Sequence, residues 1–104
     1  MIMDKQQELF QRLMPDTARI FQELMTSTFK DGVLSFRTKE LIAIGIAVSM
    51  GCDDCINHHV GLALEDGTAK EEIAEAMAVG FEMGAGQLYS PILRALSSHF
   101  GDQA

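Results

Sequence analysis

Apolar positions along the chain recur at spacings of three and four, the period of a helix with one buried face, and nowhere alternate as a strand would. In residues 4–14 that spacing puts Leu9, Phe10, Leu13 and Met14 on one side of a first helix. Pro15 is tolerated in a first helical turn, so a second helix is expected from there to about Thr28, with Ala18, Phe21, Leu24 and Met25 as its stripe. Lys30-Asp31-Gly32 reads as a turn, with Gly32 suited to positive φ. A third helix is expected from about Phe36 to Met50, with Ser35 as its N-cap. Its second half, Leu41 to Met50, is apolar or small throughout apart from Ser49. A helix without a polar face belongs at the centre of a fold, surrounded on all sides.

Gly51 fits the left-handed position that ends such a helix. A fourth helix then starts near Cys52 or Asp53 and ends at Gly67, carrying Ile56, His59, Val60, Ala63 and Leu64. Thr68-Ala69-Lys70-Glu71 has the form of a capping box opening a fifth helix, with Ile73, Ala76, Met77 and Gly80 on one face. Gly84-Ala85-Gly86 reads as a break before a last segment, Gln87 to His99. Pro91 inside that segment predicts either a kink or a fresh start capped by Ser90. The pattern as a whole predicts one all-α domain over residues 1–104, of about six helices, with no internal repeat or linker.

Composition narrows the class. An apolar fraction of 47% with 22% charged residues describes a globular chain rather than a disordered one. Fifteen acidic residues against eight basic ones, a net charge of −7, disfavour nucleic acid as a partner, because phosphates would be repelled. The start of the chain lacks the basic, apolar and small regions of a secretion signal, and the apolar run at 41–50 is too short to span a bilayer. A cytoplasmic protein is expected, and there thiols are normally kept reduced. Helices this apolar in so short a chain also point to a homo-oligomer.

Both cysteines, Cys52 and Cys55, follow directly on the most apolar segment, with Glu40 at the start of that segment and His58 and His59 just beyond them. If Cys52 stands at the N-cap and Cys55 in the first turn, the two share a face and can close a disulfide. A helix N-terminus favours thiolate over thiol, whereas negative charge from Asp53 and Asp54 disfavours it. His59 lies four residues after Cys55, on the same face one turn along, where it can take or return a proton. Glu40 lies eleven residues before Gly51 and His59 eight after it. In an antiparallel hairpin a three-residue difference is about 4.5 Å along the axis at ~1.5 Å per residue, so the two side chains are expected at nearly one level. A buried carboxylate there can orient His59 or accept a proton from Cys55.

The spacing alone leaves three readings of the pair: dithiol redox chemistry, half of a metal site, or two small buried residues. A zinc site would draw on Cys52, Cys55 and His58 or His59, but the chain has no second CxxC to close it. Attachment of c-type haem is excluded because Ile56, not histidine, follows Cys55. His58 lies about 100° around the helix from His59 and reads as a structural or interface residue. The seven methionines read as core and interface filler, and Glu71, Glu72 and Glu75 as a solvated face.

Lys39-Glu40-Leu41-Ile42-Ala43, an eleven-residue gap after Glu40, then Cys52-x-x-Cys55-x-x-His58-His59 and an Ala-rich helix resemble the alkylhydroperoxidase D-like branch of the carboxymuconolactone decarboxylase superfamily. The resemblance covers about residues 33 to 85. It implies an all-α fold assembling as trimers or hexamers, and a thiol-dependent peroxidase or disulfide reductase. It also implies roles: Cys55 as the thiol that meets the oxidant, Cys52 as the partner that resolves it to a disulfide, and Glu40 with His59 as the proton relay. An external dithiol would reopen the disulfide, and no cofactor or metal is required. Peroxidase members often carry histidine immediately before the second cysteine, where this chain has Asp54. Decarboxylases of the superfamily lack the CxxC, so the pair argues against lactone decarboxylation. A decarboxylase-like small-molecule enzyme and a metal-binding or sensor module are the alternatives.

Overall fold

The computed structural model describes residues 4–103 and is helical, with no strand among those residues. Its elements are α1 (Lys5–Leu13), α2 (Pro15–Phe29), α3 (Phe36–Met50), α4 (Asp53–Glu65), α5 (Lys70–Gly86), α6 (Tyr89–Phe100) and a 3₁₀ turn (Gly101–Gln103). They form two compact units, Met1–Phe36 and Arg37–Ala104.

In the first unit, Asp4 caps α1 and forms a reciprocal box with Gln7: the Gln7 N–H donates to Asp4 Oδ1 at 2.8 Å, and the Asp4 N–H to Gln7 Oε1 at 3.1 Å. Pro15 opens α2 as expected. The stripes on α1 and α2 do form, yet neither helix contains a buried residue. Leu9, Phe10, Leu13, Phe21 and Leu24 are all exposed. The turn after α2 differs from expectation. Positive φ among the described residues is confined to Gly51 and Gly67, so Gly32 does not use it. Asp31 Oδ1 instead accepts the Phe36 N–H at 2.7 Å.

The second unit holds the core. Ile44 of α3, Ala63 of α4 and Ile73 of α5 are buried together, with Leu41, Val60, Ala76 and Met77 packed against them. Two glycine-ended turns set this arrangement. At the end of α3, Gly51 has φ 66°, the Gly51 N–H donates to Val48 O at 3.0 Å, and the Cys52 N–H donates to Ala47 O at 3.1 Å. That is a Schellman motif, and it satisfies helix carbonyls that would otherwise lack partners. The same motif ends α4: Gly67 has φ 84°, and Gly67 and Thr68 donate to Leu64 O and Ala63 O, both at 3.0 Å.

This second motif explains why the Thr68 capping box does not form. The Thr68 backbone is committed to closing α4, so the N-cap of α5 moves to Ala69, which makes no side-chain cap. Thr68 Oγ1 is left buried without a hydrogen-bond partner. The expected break at Gly84-Ala85-Gly86 is also absent, since α5 runs on to Gly86. Close packing accounts for two of the small residues of α5. A Cβ on Gly80 would drive into the Gly45 backbone, and one on Gly84 would sit 3.4 Å from Ser49 O. The α6 helix makes the fresh start expected near Pro91, but its N-cap is Leu88 rather than Ser90 and has no side-chain cap. Proline then falls in the first turn, where its missing N–H costs nothing.

One expectation about α3 fails. Glu40, Ile44 and Ala47 are buried, but Ile42, Ile46 and Met50 are exposed, so the helix is not surrounded within one chain. With Leu41, Val79, Gly80 and Met83 among its other walls, the exposed side of α3 and α5 forms an apolar groove. The absence of a polar face reflects burial on one side and an uncovered apolar surface on the other.

Candidate active site

The cysteines lie where the turn at Gly51 delivers the chain into α4. Cys52 is the N-cap, with φ −92° and ψ 96°, and its sulfur accepts the Cys55 N–H at 3.3 Å. A helix whose first amides are unpaired needs such an acceptor, and sulfur takes the place usually held by a serine or aspartate oxygen. Cys52 and Cys55 are joined as a disulfide with their Cα atoms 5.3 Å apart, and both are half-buried. Asp53 and Asp54, between them in the first turn, are exposed. Their carboxylates favour the helix end electrostatically.

The carboxylate–histidine register holds as well. Glu40 is only 1% exposed, and His59 Nδ1 donates to its Oε2 at 2.7 Å, the His59 side chain being 20% exposed. A carboxylate only accepts, so this bond places the proton on Nδ1 and leaves Nε2 as the ring nitrogen able to take or give one. Burial of an ionised carboxylate is costly unless it is paired, and His59 supplies the pair. His58 faces solvent, its ring edge-on to that of His59 with centroids 5.0 Å apart. The four residues singled out from the sequence therefore lie on two facing helices of one unit. The pair Glu40–His59 is in direct contact, and so is the pair Cys52–Cys55. Among the described residues, no three His, Cys, Asp or Glu side chains gather as a metal site.

Two supporting features had not been anticipated. At the far end of α4, Arg37 Nη2 donates to Asp66 O at 3.4 Å and its Nε lies 3.8 Å from Asp66 Oδ2, fixing the start of α3 to the end of α4. The Gly45–Gly80 approach brings α5 against α3 in the same unit. Glycines at 45, 80 and 84 were a signal for close helix contact, one that is easily mistaken for a run of helix breakers.

Comparison with known proteins agrees with this fold. The family model for the carboxymuconolactone decarboxylase family matches residues 15–97, across both units. A Cupriavidus necator protein of uncharacterized function is 42% identical over 72 residues, 69% of this chain and 64% of that protein, so the match spans less than two thirds of its length. A protein encoded in the cox locus of Paracoccus denitrificans, also uncharacterized, is 42% identical over 77 residues, 74% of this chain and 69% of its own length. Among solved structures, a protein from Methanobacterium thermoautotrophicum superposes with a TM-score of 0.76 at 31% identity, covering 83% of this chain and 97% of that one. An apo carboxymuconolactone decarboxylase family protein from Legionella pneumophila gives 0.74 at 33% identity, covering 83% and 79%. The all-helical fold and its paired cysteines thus have a defined class. The chain belongs to the carboxymuconolactone decarboxylase family, and Cys52-x-x-Cys55 is the feature it shares with the alkylhydroperoxidase D-like branch. No helix among the described residues is long and apolar enough to cross a membrane.

Proposed function

We propose that the protein is a thiol-dependent oxidoreductase that cycles Cys52 and Cys55 between dithiol and disulfide while reducing hydroperoxides or disulfides. The observation that carries this reading is the disulfide itself, at the N-terminus of α4, in the same unit as a buried carboxylate–histidine pair. In the cycle, the Cys55 thiolate attacks the outer oxygen of a hydroperoxide. The O–O bond breaks, the alkoxide leaves and takes a proton, and Cys55 becomes a sulfenic acid. The Cys52 thiol then displaces that hydroxyl as water and closes the disulfide. An external dithiol reopens it by two thiol–disulfide exchanges and is itself oxidised. A disulfide substrate enters by the same attack, through a mixed disulfide.

His59 Nε2 is the proton carrier in this scheme, taking the proton of Cys55 and returning it to the leaving alkoxide. Glu40 orients the ring and stabilises its charged form. The scheme needs no cofactor. Cys52→Ser and Cys55→Ser should each abolish turnover with an organic hydroperoxide and a dithiol while leaving the helical circular dichroism intact. Turnover retained in both variants would sink the proposal. The same reading places the enzyme in the cytoplasm, where a dithiol reductant is at hand, and makes it a homo-oligomer, a trimer or hexamer. The uncovered apolar groove on α3 and α5 supports the assembly.

A further inference from the structure

Resting on the redox reading above, the geometry points to a charge filter at the disulfide: Asp53 and Asp54 select reductants whose attacking thiol stands in neutral or cationic surroundings over anionic thiols. The two carboxylates occupy the positions between the half-buried sulfurs, and both are exposed in the first turn of α4. A thiolate approaching Cys52 or Cys55 comes within the field of these two adjacent carboxylates. No positive side chain nearby in the sequence offsets them, since from Glu40 to Leu93 the chain contains a single lysine or arginine, Lys70. The basic groups of this unit are on other helices. Arg37 holds Asp66 at the other end of α4, Lys39 is in the first turn of α3, Lys70 opens α5, and Arg94 is in α6. His58 is exposed one turn beyond Asp54, and His59 is engaged with Glu40.

The step concerned is thiol–disulfide exchange. An external thiolate forms a bond to one sulfur of the pair, the Cys52–Cys55 bond breaks, and the other sulfur leaves as a thiolate. A charge carried elsewhere on the attacking molecule has no part in the bond changes but feels the two carboxylates. At ~8 Å in water they favour a cation over an anion by about tenfold, once the opposing half-charge of the helix end is allowed for. Salt near ~1 M shortens the screening length to about 3 Å and should reduce the preference to about twofold or less.

The test follows opening of the disulfide in the full chain by three small thiols of graded charge: cysteamine, 2-mercaptoethanol and 3-mercaptopropionate. Each rate is expressed per thiolate and divided by the rate of the same thiol with hydroxyethyl disulfide, which removes differences in intrinsic nucleophilicity. The expected order at low ionic strength is cysteamine, then mercaptoethanol, then mercaptopropionate, with about a tenfold span that collapses in ~1 M salt. In an Asp53→Asn/Asp54→Asn variant the order should flatten or invert, since only the helix dipole remains. The salt series on the native sequence needs no variant to fold. Equal normalised rates at low salt, or an unchanged span in the double variant, would overturn the charge filter and leave the redox reading standing. Failure of every thiol to open the disulfide would remove both.

Discussion

Replacing His59 with phenylalanine should be among the most damaging single changes in the second unit, because of what it leaves behind. Glu40 is buried to 1% exposure and accepts a 2.7 Å hydrogen bond from His59 Nδ1. Phenylalanine fills the space but cannot donate, so a buried carboxylate is left without that partner. Breaking a buried pair from one side costs ~3–5 kcal/mol, and the one-fifth exposure of His59 argues for the lower end, about 3 kcal/mol at pH 7. Glu40→Gln should cost less, about 1 kcal/mol, because the amide oxygen still accepts the Nδ1 proton and no charge is stranded. Urea unfolding at pH 7, at one fixed protein concentration, measures both values. A cost below about 1 kcal/mol for His59→Phe at pH 7 would refute the idea that His59 neutralises a buried charge.

Further outcomes follow from the packing. Gly80→Ala should destabilise by about 2–3 kcal/mol, because the added methyl meets the Gly45 backbone. In contrast, Gly61→Ala, with nothing within 4 Å, should stabilise α4 by about 0.5–1 kcal/mol in the same thermal or urea assay. Gly51→Ala meets no atoms either, but φ 66° should cost about 1–2 kcal/mol and loosen the turn that presents Cys52. Ile46→Asp, on the exposed side of α3, should leave far-ultraviolet circular dichroism unchanged and lower the mass found by light scattering; an unchanged mass would argue against this face as the subunit contact.

Much of this molecule was legible before its structure, for identifiable reasons. Helix starts and stops with strong local chemistry fell where periodicity put them: Asp4 at α1, Pro15 at α2, Gly51 after α3 and Gly67 after α4. The register of Glu40 with His59 followed from counting residues on either side of one tight turn, since rise per residue leaves little freedom there. What was misread depended on tertiary context. Thr68 has the side chain of an N-cap, but its backbone was already claimed by the end of α4. Gly84 and Gly86 look like breakers until a neighbouring helix is seen to need the room that Gly84 leaves. An all-apolar α3 could mean burial on every side or burial on one side with an uncovered face, and periodicity alone does not separate the two. The geometry of the candidate site was legible to a similar depth, because a cysteine pair, a histidine and a carboxylate at fixed helical spacing constrain each other.

The central claim is tested most directly by counting free thiols on fully reduced protein before and after one equivalent of an organic hydroperoxide. The account predicts that both thiols disappear together and return with dithiothreitol, with the mass showing an intramolecular Cys52–Cys55 disulfide and no added oxygen. Two thiols that survive an hour of exposure would contradict peroxide reduction by this pair.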